Sequence, residues 1–276
     1  MTDLLRLFRA EGISVDEIGD WRSRVRPGLF TPAGVVVHHT GDKGRGDSGL
    51  GVLVHGRPDL NGPLCNGSPR ENGRLALISA GRANHAGPGS GAVLARIRQD
   101  LPPLGLAHTL GLRDDTVGNG WLYGLEVDND GLGQPYPSEQ LDTTIRACAA
   151  LCRHHGWTAN RVILHSEWTM RKSDWSLPAA PLRAAVAHRL AHTRLVNGVY
   201  VITDVKAAAA VDPKPTTAPG EEDVMASLDE VRQVVREELA AAVKQLHGDH
   251  VLMLRGDATH PHSIESIAKT LKEEPK

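Results

Sequence analysis

Cysteine is scarce in this chain: there are three, an odd number, and no CxxC pairs any two of them. That argues against a disulfide framework and against a thioredoxin-like redox centre. Cys148 and Cys152 lie four apart in a helical pattern, so both can face one core stripe as buried structural thiols. Long apolar runs are also missing. No stretch approaches the roughly 18 residues of a membrane span, and charge interrupts the first residues, Met1 to Arg9, before a signal-peptide core of about 7 apolar residues develops. The start therefore reads as an amphipathic helix, and the protein is expected to accumulate in the cytoplasm. No GxSxG occurs, which removes the usual serine-hydrolase elbow. His165-Ser166-Glu167 matches the HxE of zinc deaminases, but no PCxxC follows it.

Lysine is the most telling shortage. Residues 1–197 hold 22 Lys+Arg and 19 Asp+Glu, net +3, and only Lys43 and Lys172 of those cations are lysine. Residues 198–276 hold 9 and 14, net −5, which completes the overall charge of −2. Neither part has the charge of a nucleic-acid binder. A lysine at 172, beside other chemically active residues, is harder to read as incidental solvation.

What is present organises into an α/β succession without an internal repeat. A helix and turn are expected over 4–20, a buried strand over 34–39, a loop-rich stretch over 41–73 with a short strand at 52–54, and a clearer strand over 74–78. A helix near 91–99, a strand at 123–128, a helix near 138–155, a strand at 162–165 and a helix near 179–196 follow. The expected fold is a central mixed sheet of about five strands flanked by helices, with a C-terminal helical extension. One catalytic domain should occupy 1–197. A linker over 198–223 carries Pro213, Pro215, Pro219 and Gly220. Beyond it Val224, Leu228, Val231, Val235, Leu239, Ala242 and Leu246 form an apolar helical stripe over 224–247. That stripe fits either a coiled coil that joins copies of the chain or a single helix packing back on the domain. The role of 248–276 is not readable.

The chemistry concentrates at two strand ends. Val36-Val37-His38-His39-Thr40 closes one strand, and the segment from His165 to Asp174 follows another. A catalytic zinc takes about three protein ligands from His, Asp, Glu or Cys and leaves a position for water. Two histidines from distant segments plus Asp174 would complete such a set. Side chains alternate along a strand, so only one of His38 and His39 can readily join a given metal. Lys172 and Asp174, two apart, share a face in extended backbone. Glu126, Asp128 and Asp130 also alternate, and a partly buried carboxylate beside a metal site suits a general base. His188 and His192 have the spacing of a helical zinc pair but no acidic neighbour of the HExxH type, and read as a surface or core-facing pair.

His38-His39-Thr40-Gly41, Tyr123-Gly124-Leu125-Glu126 and the run from His165 to Asp174 resemble, in order, the three motifs of zinc-dependent N-acetylmuramoyl-L-alanine amidases, the family shared by phage endolysins and peptidoglycan recognition proteins. The resemblance spans about residues 15–195. Gly81-Arg82-Ala83-Asn84-His85-Ala86-Gly87 is similar to a loop of actinobacteriophage endolysins. The resemblance implies one Zn2+ per domain held by His38, His165 and Asp174, with Glu126 and Lys172 as the catalytic pair and His39 outside the ligand set. Asn84, His85 and Trp168 are implied as substrate contacts. The implied reaction is hydrolysis of the amide between the N-acetylmuramoyl lactyl group and L-alanine, with peptidoglycan as partner and neither nucleic acid nor membrane insertion involved. An endolysin made in the host cytoplasm and released through a separate membrane pore is the leading expectation. A cytoplasmic wall-recycling amidase and a non-catalytic recognition module are the alternatives.

Overall fold

The computed structural model describes residues 3–41 and 47–203, so the helix expected over 224–247, the segment 248–276 and most of the linker lie outside the described residues. Along the chain run α1 (Leu4–Ala10), β1 (Val15–Glu17), β2 (Gly34–His39), α2 (Asp47–His55), β3 (Gly67–Pro69), β4 (Leu75–Leu77), α3 (Gly91–Arg98), β5 (Leu122–Val127), α4 (Ser138–His155), β6 (Val162–Leu164), α5 (His165–Trp168) and α6 (Ala179–His192), then a hairpin of β7 (Thr193–Val196) and β8 (Val199–Ile202), with shorter pieces between.

Three consecutive valines make β2, and all three are fully buried. A strand apolar on both faces belongs inside a sheet covered on both sides. The sheet has six strands in the order β1-β4-β3-β5-β2-β6. Its pairings are parallel apart from β3 with β4, so it is mixed. Period-2 alternation sorts the faces. Val36 and Leu122 pack with Val93, Leu94 and Ile97 of α3 and with Trp168. Tyr123, on the other face, reaches His155 of α4 with its hydroxyl 3.2 Å from Nε2. The stripe Leu141, Ile145, Cys148, Leu151 and Cys152 of α4 is buried, as the periodicity predicts, and left-handed Gly156 ends the helix.

Three expectations change. The sixth strand is β1, inside the stretch read as helix and turn; three residues are too few for a periodic signal, and pairing with Leu75 to Leu77 defines them. Val52, Leu53 and Val54 belong to α2 and not to a strand, because a short apolar run does not distinguish the two. The last helix stops at His192. Asn197 and Gly198, both at positive φ, then turn the β7–β8 hairpin. The hairpin is tied back by Arg189 Nη2 on Tyr200 O at 3.2 Å, and Arg189 and Arg153 both clamp buried Glu11, the residue that caps the end of α1.

Candidate active site

His38 stands at the end of β2 and Glu126 at the end of the adjacent β5, and strand pairing sets them opposite one another. His165 follows β6 directly, as the first residue of α5 and not the last of the strand. The loop after α5 then folds back, with the amide of Ser166 donating to the carbonyl of Asp174 at 2.6 Å. Parallel strands thus bring all four groups to their carboxyl ends, the usual position of α/β sites.

Three atoms converge there. His38 Nδ1 lies 2.8 Å from His165 Nδ1 and 3.2 Å from Asp174 Oδ2, and His165 Nδ1 lies 2.9 Å from the same oxygen. Three atoms able to act as acceptors repel at such distances unless a proton or a cation sits among them. Ligand atoms each about 2.0–2.2 Å from a tetrahedral zinc stand about 3.3–3.5 Å apart, so the triangle is near the required size. Two imidazole nitrogens and a carboxylate oxygen are also the donor types zinc accepts. The residues therefore fit the ion, and they are the cluster of metal-ligating side chains found among the described residues.

Burial dominates the electrostatics. It holds His38 down to about 4, assisted by His165 and opposed by Asp174, so the imidazole is neutral as a ligand must be. Burial alone would raise Asp174, but its hydrogen bonds with His165 and His38 outweigh that and keep it ionised. Glu126 is pushed well above the ordinary carboxylate range by burial first and by Asp174 second, with Lys172 opposing. Its Oε1 lies 3.9 Å from His38 Nδ1. Lys172 is exposed while Asp174 is buried, so the face they share in extended backbone does not give them one environment. The ammonium is nonetheless near enough to act on Glu126, His38 and His39. The segment before it is anchored by Asp114, which accepts from Thr169 Oγ1 at 2.6 Å, Met170 N at 3.3 Å and Arg171 Nε at 2.9 Å.

The other sequence candidates separate. His39 points away from the triad, with Nδ1 3.4 Å from the Tyr136 hydroxyl. Asp128 pairs with Arg70 at 3.3 Å, and Asp130 accepts the amides of Leu132 and Gln134 in a turn. His188 and His192 stack on α6 at 4.3 Å, and among the described residues no third ligand joins them.

The three expected substrate contacts all engage the protein itself. Trp168 is fully buried and donates from Nε1 to Ala86 O at 3.0 Å, so no surface of it faces a substrate. Asn84 donates from Nδ2 to Asn61 O at 2.9 Å and accepts from Asn119 Nδ2 at 3.2 Å. His85 has both ring nitrogens engaged by the protein, Nδ1 with His38 Nε2 at 3.1 Å and Nε2 with Leu122 O at 3.0 Å. Sequence reasoning missed Asn119 and Asp114. Gly118-Asn119-Gly120 reads only as a turn, yet Asn119 Oδ1 accepts the amides of His85, Ala86 and Gly87.

A mixed α/β sheet carries at its carboxyl edge a buried His-His-Asp triad, a donor set that could hold a metal ion, and a carboxylate whose pKa is raised. The chain belongs to the N-acetylmuramoyl-L-alanine amidase family, whose model matches residues 29–178. Among solved structures, an endolysin N-acetylmuramoyl-L-alanine amidase LysCS from Clostridium intestinale URNW is similar, with 14% identity and a TM-score of 0.43 over 62% of this chain and 93% of that one. The amidase LysC from the same organism gives 15% and 0.42 over 62% and 95%, and PlyL gives 12% and 0.39 over 57% and 83%. No curated protein matches the chain.

Proposed function

We propose that this protein is a zinc-dependent peptidoglycan hydrolase of phage lysis, cutting the amide between the N-acetylmuramoyl lactyl group and L-alanine. The observation that carries the reading is the convergence of His38 Nδ1, His165 Nδ1 and Asp174 Oδ2 within 4.8 Å of one another, with Glu126 beside them. Family membership supports amide hydrolysis and peptidoglycan as substrate. The intact ligand set and base favour catalysis over recognition alone.

Zinc, when bound, supplies Lewis acidity toward the scissile carbonyl and toward the attacking water. Glu126 takes the proton of that water and delivers it to the leaving L-alanine nitrogen, a role for which a raised carboxyl pKa is suited. Lys172 places its ammonium where the carbonyl oxygen gains negative charge. Asp114 steadies the segment that carries Lys172.

The lysis role draws its support from the Pro-containing stretch and acidic region beyond the domain, an arrangement common in wall lysins. It implies synthesis in a host cytoplasm and release through a separate membrane pore. No helix among the described residues is long and apolar enough to cross a membrane.

Mass spectrometry of purified peptidoglycan digested by the zinc-loaded protein tests the reading. Free lactyl ends with new L-alanine amino termini are expected, lost on chelation and restored by zinc. Cleavage at a glycosidic bond, or intact walls with one zinc bound, would overturn it.

A further inference from the structure

We propose that His85 is a positioning residue of the metal centre, whose ring fixes the tautomer of His38 so that Nδ1 of His38 is the ligand atom. The inference rests on the zinc reading above and adds to it a residue outside the ligand triad. It starts from a backbone carbonyl. Leu122 O can only accept a hydrogen bond, and it lies 3.0 Å from His85 Nε2, so Nε2 carries a proton. In a neutral ring Nδ1 is then an acceptor. His38 Nε2 is 3.1 Å from it and donates. The remaining nitrogen of His38, Nδ1, keeps its lone pair and faces His165 Nδ1 and Asp174 Oδ2. The proton order thus runs from the first residue of β5, the strand that also carries Glu126, through His85 to the metal face of His38.

The opposite order would set the lone pairs of His38 Nε2 and His85 Nδ1 against each other at 3.1 Å. A proton on His38 Nδ1 would point into the triad and remove one ligand lone pair. Ligating histidines generally have their second nitrogen fixed by a partner, and such partners tune both orientation and metal affinity. Here the partner is a second histidine, edge-on to His38 with ring centroids 5.3 Å apart.

Two further features serve this placement. Asn119 Oδ1 gathers the amides of His85, Ala86 and Gly87 at 3.2, 3.0 and 2.9 Å, which fixes the backbone under the ring. Gly124 leaves the space that the ring fills, since a Cβ there would lie 2.5 Å from His85 Cγ and Nδ1. The glycine of Tyr123-Gly124-Leu125-Glu126 is needed for room beside His85, a purely steric demand.

The test is competition between the full chain and a chelator of known zinc affinity, with nitrogen NMR of the zinc-loaded wild type. One zinc per wild-type chain is expected, and His85→Ala should weaken it by about 10-fold to 100-fold. His85→Gln, whose amide can both accept and donate, should recover much of that loss. Gly124→Ala should reproduce the loss without removing any polar group. The NMR should show His38 metallated at Nδ1 and protonated at Nε2. Wild-type uptake of one zinc, with His85→Ala folded and within twofold in affinity, overturns this inference alone, as does metallation of His38 at Nε2. If His85→Ala does not fold, the wild-type NMR decides. A wild-type chain that binds no zinc overturns the metal reading and this inference together.

Discussion

Glu126 and His38 face each other in register across adjacent parallel strands, Oε1 3.9 Å from Nδ1. Backbone pairing, and not a flexible loop, therefore sets the distance between these two side chains. Sites carried on strands are held more tightly than sites on loops. The loop-borne members, Asp174 and Lys172, are brought to this fixed pair by the return of the chain after α5.

Glu126→Gln keeps the shape of the side chain and removes its basicity. Zinc uptake should be retained while kcat falls by roughly a hundredfold to ten-thousandfold. In the wild type the base must be ionised, and burial followed by Asp174 raises its pKa above the ordinary 4.5. Activity should consequently fall as pH drops through a value above 4.5. A pH–rate profile measures this, and a variant as fast as the wild type would remove Glu126 from proton transfer.

Lys172→Ala should leave both zinc content and melting temperature unchanged, because the side chain is exposed and lies outside the ligand triad. Turnover should nevertheless slow by roughly a hundredfold or more, the typical loss when one oxyanion donor is removed. Single-turnover kinetics on a soluble muropeptide separate this from weakened binding. Normal kcat with raised KM would recast Lys172 as a binding group.

Trp168 is a packing residue beneath the site. A Cβ at Gly89 would lie 2.2 Å from its indole and one at Gly118 2.8 Å, so both glycines make room for it. Trp168→Ala should cost about 3–5 kcal/mol in denaturant unfolding. Trp168→Phe should lose less and leave KM near its original value. A raised KM with unchanged stability would return Trp168 to the substrate.

His155 should make stability depend on pH. Burial lowers it from 6.5 to about 4, with His154 and Arg161 adding to the shift, while its ring stacks on Trp157 at 4.1 Å. The unfolded chain takes up the proton first as pH falls, so the unfolded state gains between about 6.5 and about 4. This contribution is complete above 6.5 and is lost as pH drops through 4. Melting curves of wild type and His155→Gln across that window should converge toward the acidic end. Parallel curves would assign the acid sensitivity elsewhere.

Much of this molecule was legible in local pattern. The valines of β2 announced a buried strand, the stripe of α4 and its terminal Gly156 announced a helix and its end, and the scarcity of lysine singled out Lys172. What went unread was short or shared. Three residues of β1 carry no periodicity, and Val52 to Val54 fit a helix as well as a strand. Asn197-Gly198 is a turn signal that the preceding helical run obscured.

By itself the sequence determined which chemical groups were available and where each strand would deliver them, because the period of two and the period of 3.6 are local properties of the backbone. It named His38, Glu126, His165, Lys172 and Asp174. Only the tertiary structure decided which side chains meet. His38 and His165 are 127 residues apart, yet their nitrogens lie 2.8 Å from one another, whereas Asp128, two residues from Glu126, is spent on Arg70. The same packing buried Trp168 and set His85 against His38. Hydrogen bonds and burial depend on the atoms that folding brings alongside, and no spacing along the chain encodes them.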